Sequence, residues 1–298
     1  MSWYKDPNPL PSGYWGPITS TLLWCEEKYR WSYYVAEPVN TVTNAFFIAL
    51  AIYGYRVSRR EALPLRFAIC HLGVALVGFG SAWFHGTLTY STQLLDELPM
   101  IYTSAFLTYC VCETSKGYGK PRFRMLLPLV LTLLVVWITV VYLWNGNPVF
   151  HQVAYASIQI VSTIRVAYLL TSKSSALNTA KDGTQRRREI TRLYLYGAVI
   201  FLTGFAIWNV DNIFCYQLRQ ARNSIGYPWA VLLEGHGWWH ILTGHGAYCL
   251  ITAGAQLAVG EKEDPDNFRL HKGVFPYVKR VKQYKPASAS RSSKKKAQ

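Results

Sequence analysis

Charge is what this chain has least of. Only 16% of its 298 residues are Asp, Glu, Lys or Arg, where a soluble domain averages about 25%. Fifteen of those charges lie beyond Val259, which leaves 32 in the first 259 residues. Cysteine is sparse at six, so a small disulfide scaffold is excluded. No internal repeat is visible, which argues against a transporter built from paired repeats. No lysine falls within 235–259, so a retinal Schiff base has no anchor in the last apolar run. No folded basic domain stands behind the net charge of +15, which excludes nucleic acid as a partner. Apolar bulk, by contrast, is plentiful. Hydrophobic residues make up 51%, with 11 Trp, 21 Tyr and 13 Phe, so disorder is excluded as well. A membrane protein is the class that survives.

A bilayer core about 30 Å thick takes roughly 20 helical residues to cross. Seven apolar runs qualify: 39–55, 67–88, 98–112, 125–144, 149–171 (interrupted by Arg165), 193–210 and 235–259. The first and third are short but extend through polar helix formers, Glu37 and Asn40 in one case and 93–97 in the other. The expected fold is all-α, a polytopic seven-transmembrane helix bundle spanning 38–259. Residues 1–37 precede it, and 260–298 follow as a basic tail expected to be largely disordered. No short cleavable apolar region comes before the first run, so no signal peptide is expected.

Lysine and arginine set the orientation. One side of the bundle carries Lys5, Lys28, Arg30, Arg219 and Arg222, while the other carries twenty-five, eleven of them in the tail. By the positive-inside bias the N-terminus is lumenal and the basic tail cytosolic, within reach of membrane lipid headgroups.

Polar residues inside spans are costly, so their positions point to function. Ser81 and His85 close the second run, Asp96 and Glu97 open the third, and His236 and His240 open the seventh. The topology places all of them in one leaflet. Each i,i+4 pair shares a helix face, so three imidazoles and a carboxylate converge. Three histidines with an open fourth position suit a catalytic zinc ion. The HxxxH spacing lacks the glutamate of HExxH, so a general base must come from another helix, and Asp96 is the candidate. His71, His151 and His245 read as packing or hydrogen-bonding histidines. Asp211, near the end of the sixth run, either orients a metal-bound imidazole or caps that helix end.

Several blocks together carry a family resemblance: 13–17 (GYWGP), 19–21, 24–27 (WCEE), Ala36-Glu37, Asn40-Thr41, Gly80-Ser81 with Phe84-His85, 93–102 (QLLDELPMIY), 208–212 (WNVDN) and 236–244 (HGWWHILTG). From about Gly13 to Leu250 the chain resembles the alkaline ceramidases, seven-helix intramembrane amide hydrolases. The resemblance implies zinc held by His85, His236 and His240, with Ser81 and Asp96 beside it. The expected reaction cleaves the amide of ceramide, dihydroceramide or phytoceramide to a sphingoid base and a fatty acid. It also implies a Cys25–Cys215 disulfide on the lumenal side. A zinc-containing seven-helix receptor of the progestin and adiponectin receptor type is the alternative reading, and QLLDELPMIY weighs against it.

Family members also place a calcium ion in the amino-terminal segment. Trp24, Glu26 and Glu37 match its ligand positions, but Leu23 stands where an acid is expected and Lys28 where an asparagine is. An apolar side chain and an ammonium do not suit Ca²⁺, so the Lys28 charge is expected to pair with Glu26 or Glu37 in its place. Finally, Lys295-Lys296 resembles a dilysine signal for coat-type retrieval machinery, which predicts the endoplasmic reticulum membrane or early Golgi.

Overall fold

The computed structural model of the chain describes residues 10–118 and 121–282. Lys295-Lys296 and the rest of the terminal basic stretch lie outside the described residues. Eight α-helices dominate: α1 (Pro38–Arg60), α2 (Leu65–Thr87), α3 (Tyr90–Cys112), α4 (Leu126–Asn145), α5 (Pro148–Thr171), α6 (Gly183–Ile213), α7 (Cys215–Ile225) and α8 (Gly235–Lys262). The helices α1 to α6 and α8 coincide with the seven apolar runs and extend beyond most of them. The short α7 was not among the runs, because Arg219 and Arg222 interrupt its apolar positions.

Four helical segments, containing α2, α4, α5 and α6, are long and apolar enough to cross a membrane. The other three long helices are diluted by the polar side chains they turn inward: Asn40 and Asn44 on α1, Gln93 and Glu97 on α3, His236 and His240 on α8. In α4, by contrast, only Ile138 and Tyr142 are buried, so nearly its whole apolar surface faces outward. A helix this apolar with so little of it buried has the composition of a membrane span.

The helix α8 is the axis of the fold. It packs chiefly on α6 and α1, and every residue from Ile251 to Gly260 is buried. Small residues allow this. A Cβ on Gly197 of α6 would lie 2.9 Å from the Gly246 carbonyl of α8, and one on Gly246 would lie 2.7 Å from that of Gly197. Two backbones thus meet with no side chain between them.

The beginning of the expected disordered tail is folded. Beyond α8, residues Phe268–His271 (β1) and Tyr277–Arg280 (β2) pair antiparallel, with Phe268 opposite Arg280. Phe268 and Val278 are buried while Arg269 and Lys279 are exposed, the period-2 pattern of a strand with one covered face. Arg280 pins the hairpin to the Glu263 carboxylate, and Arg186 of α6 reaches the Phe268 carbonyl at 2.8 Å. The chain is therefore mostly, not wholly, helical. Strands of four residues are too short to stand out from a basic tail by pattern alone.

Helices α2 and α3 approach through Gly80. Pro99 inside α3 has no N–H to offer the Leu95 carbonyl one turn back. That carbonyl faces Gly80, where a Cβ would sit 2.0 Å from it. Gly80→Ala is expected to push α2 and α3 apart and destabilise the fold by about 1–3 kcal/mol. Gly86→Ala, on the same helix with nothing within 4 Å of its Cβ position, is the control and is expected to be neutral. Thermal unfolding of both variants in detergent checks this.

Candidate metal centre

The last turn of α2 and the first turns of α8 bring His85, His236 and His240 together. One ring nitrogen from each lies within 4.8 Å of the others, and all three side chains are buried. The ring centroids are 4.8 to 4.9 Å apart. Three imidazoles this close, out of water, can offer their lone pairs to one metal ion.

Hydrogen bonds decide which nitrogen each ring presents. Glu37, at the N-terminus of α1, accepts from His85 Nδ1 at 2.5 Å. A carboxylate only accepts, so Nδ1 carries the proton and Nε2 the lone pair. Among the described residues, His85 Nε2 is buried with no hydrogen-bond partner, and so is His236 Nδ1. Thr43 Oγ1 spends its proton on the Val39 carbonyl at 2.9 Å and lies 2.9 Å from His240 Nδ1, so it accepts from that nitrogen. His240 therefore turns a bare Nε2 toward Ser81, 3.5 Å from its Oγ. Buried nitrogens left without a donor are costly, and a borderline-soft divalent metal is the partner that suits them. The donor set thus fits zinc.

Ser81 is held in turn. Asn44 Nδ2 donates to its Oγ at 3.1 Å, and the Asp96 side chain interacts with Ser81 across the Gly80 contact. The sequence-predicted Ser81, Asp96, His85, His236 and His240 thus share one place. Asp211 lies at its edge. Its Oδ1 accepts the Gly235 N–H at 3.1 Å, so it caps α8 rather than the end of its own helix, while Oδ2 is buried without a partner among the described residues.

The amino-terminal segment folds over this end of the bundle. Trp24 stacks on His236 with centroids 4.5 Å apart. Cys25 is joined to Cys215 at the start of α7. Glu26 caps α1, accepting from the Val39 and Asn40 N–H groups with one oxygen each, both at 2.8 Å. Lys28 Nζ donates to the Trp24 carbonyl at 2.5 Å, to the Glu26 carbonyl at 2.7 Å and to Glu37 Oε1. The pairing partner is Glu37, with only the backbone of Glu26 involved. The oxygens that would face a calcium ion are thus taken by an ammonium, and the residues present do not fit Ca²⁺.

Burial alone would raise the Glu37 carboxyl, but the Lys28 ammonium and the His85 hydrogen bond bring it down to about 2. Glu26 goes the other way. Burial, then the Glu37 and Glu234 carboxylates, push it up to about 8, against its two backbone hydrogen bonds.

Several contacts in and beyond the site escaped the reading of the sequence. Thr43 and Asn44 act on α8 from α1. Arg222, buried in α7, pairs with Glu234 just ahead of Gly235. On α3, Glu97 accepts from Tyr142 of α4 and from Gln93 at 2.9 Å, and its backbone carbonyl lies 2.8 Å from His151 Nε2 on α5. Only the position of Glu97 beside Asp96 in QLLDELPMIY hinted at this network. Arg165 bonds the Val111 carbonyl and the Thr114 hydroxyl at the end of α3, and His245 meets the Tyr196 hydroxyl at 3.3 Å.

Comparison with known proteins gives a consistent set of matches. Residues 16–279 match the Ceramidase family profile. The chain is 41% identical over 224 residues to alkaline ceramidase 3 of Mus musculus, covering 75% of this chain and 78% of that protein. It is 37% identical over 245 residues to the alkaline ceramidase YPC1 of Saccharomyces cerevisiae, covering 79% and 75%. It is 28% identical over 270 residues to the alkaline ceramidase of Arabidopsis thaliana, covering 90% and 95%.

The Glu26 shift sets a pH dependence. A carboxyl raised from 4.5 to about 8 on folding stabilises the fold fully below pH 4.5, and that contribution is lost as the pH climbs through about 8. Glu37 has the opposite sign, with its contribution present above 4.5 and lost only as the pH falls toward 2. Melting temperature is therefore expected to decline between pH 5 and about 8 in the wild type and to decline less in Glu26→Gln. Equal slopes in the two proteins would remove Glu26 as the cause.

Proposed function

The chain belongs to the ceramidase family, and from that premise we propose that it hydrolyses the amide of ceramide-type sphingolipids to a sphingoid base and a free fatty acid. The observation that carries this is the meeting of His85, His236 and His240 with Ser81 and Asp96 at one end of an apolar helix bundle. An amide is a weak electrophile with a poor leaving group, so the site has to activate both the carbonyl and the attacking water.

His85, His236 and His240 would hold zinc, which when bound supplies Lewis acidity to the amide carbonyl and lowers the pKa of a neighbouring water. The remaining work falls to the chain's own side chains. Asp96 takes the proton from the attacking water and returns it to the departing amine nitrogen. Ser81, steadied by Asn44, turns its hydroxyl from Asp96 to the carbonyl oxygen as negative charge grows there. Glu37 and Thr43 keep His85 and His240 in the tautomers whose Nε2 faces the centre. Asp211, with one oxygen on the α8 cap and the other free, lies where it can fix the position of His236.

The same proposal extends to topology. With α1 to α6 and α8 all crossing the bilayer, the centre sits near the lumenal interface, where water and lipid chains both arrive. Residues 38–259 then form the catalytic unit in the membrane. The twenty-five basic residues face the cytosol, and Lys295-Lys296 would keep the protein in the endoplasmic reticulum or early Golgi.

Purified protein is expected to carry one zinc per chain by elemental analysis and to release sphingoid base from a panel of ceramides. His85→Ala is expected to lose both. Asp96→Asn is expected to keep its zinc while turnover falls about 10²–10⁴-fold, the range for a lost general base. Ser81→Ala is expected to keep zinc and lose about 10²-fold in kcat. Zinc bound with no amide hydrolysis on any ceramide would overturn the proposal.

A further inference from the structure

We propose that Lys28 is a built-in cation that replaces a bound divalent ion beside the metal centre and holds Glu37 in place to orient His85. The inference rests on the metal-centre reading above and adds to it a positioning residue and an independence from calcium.

An ammonium has three protons to give and no acceptor. Lys28 gives all three to oxygens: the Trp24 carbonyl, the Glu26 carbonyl and Glu37 Oε1. Its side chain is 2% exposed, and that of Glu37 is 0% exposed. Two backbone carbonyls and a carboxylate around one buried point are the ligands a hard cation takes. Here the cation is covalently attached, so it is present at full occupancy and needs no ion from solution. With Leu23 apolar alongside, no further side-chain oxygen is supplied at that position for a metal.

The geometry gives this cation a consequence at the site. Glu37 uses one oxygen for Lys28 and the other for His85 Nδ1 at 2.5 Å and Asn40 Nδ2 at 3.0 Å. The ammonium therefore fixes the rotamer and the charge balance of the group that fixes His85. Lys28 also closes the loop that carries Trp24, which stacks on His236. One side chain thus braces two of the three histidines without touching either. Removing it would leave a buried carboxylate without compensation and an oxygen-lined hollow open to a hard cation from solution.

The test compares wild type with Lys28→Ala and Lys28→Asn, the latter adding an oxygen to the hollow. Each is measured in a calcium-selective chelator and in calcium chloride. In the wild type, neither melting temperature nor ceramide hydrolysis is expected to change between the two conditions. It is also expected to give no terbium luminescence excited through Trp24. Both variants are expected to melt lower in chelator and to lose about 10–100-fold in activity or zinc affinity, the range for a partner behind a metal ligand. Calcium is expected to restore melting temperature in Lys28→Asn, and terbium to bind it with Trp-sensitised emission. Lys28→Arg, which keeps the charge, is expected to retain more activity in chelator than Lys28→Ala. Melting and terbium readouts stand whether or not the chain cleaves ceramide, so failure of the catalytic proposal is separable. A wild type that gains stability from calcium or binds terbium at this segment overturns the inference, and this holds even if both variants fail to fold. So does a Lys28→Asn that folds and ignores both ions.

Discussion

The hydrogen bond from His85 Nδ1 to Glu37 ties the molecule together at its functional end. It joins α2 to the start of α1, and it determines that His85 turns a bare Nε2 inward. It is sustained by groups that converge from three parts of the chain: Lys28 from the amino-terminal segment, Asn40 from α1, and His240 of α8, whose ring centroid lies 4.9 Å from that of His85. In a low-dielectric bundle an ionised carboxylate persists only when each of its oxygens is matched. Glu37 meets that condition, with Lys28 on one oxygen and His85 and Asn40 on the other.

The same demand for partners shapes the rest of the polar interior. Glu26 is spent on the α1 N-terminus, Asp211 on that of α8, and Glu97 on Tyr142, Gln93 and the α3–α5 contact. Each of these joins elements that apolar packing alone would hold loosely, most plainly α4, whose apolar surface faces outward. The disulfide and the Arg222–Glu234 pair do the same for α7 and the segment that follows it. Small residues complete the arrangement, because Gly80 lets α2 approach the α3 backbone, and Gly197 and Gly246 let α6 and α8 meet backbone to backbone.

Helices were legible in the chain because long, nearly charge-free apolar runs admit few alternatives, and α1 to α6 and α8 follow those runs. The i,i+4 spacings of Ser81 with His85 and of His236 with His240 show which side chains share a face. Two elements were not legible. The helix α7 is short and interrupted by arginines, and the β1–β2 hairpin lies in a segment whose basic composition reads as tail. Its order comes from α8 and α6, through Glu263 and Arg186, which no local pattern reveals. Span number is the intermediate case, since three of the helices that carry the site, α1, α3 and α8, have apolar runs diluted by the polar side chains they turn inward.

By itself the sequence determined a mostly helical, oil-rich bundle and the residue types that meet in it, because hydrophobic runs and helical periodicity are local properties. Leu23 and Lys28 were also visible there as a departure from the calcium-binding pattern. Only the tertiary structure decided where the Lys28 ammonium goes, which tautomer each histidine adopts, and that Asp211 caps α8 rather than its own helix. Those outcomes depend on groups up to 197 residues apart, such as Thr43 and His240. Contacts of that range exist only once the chain is folded.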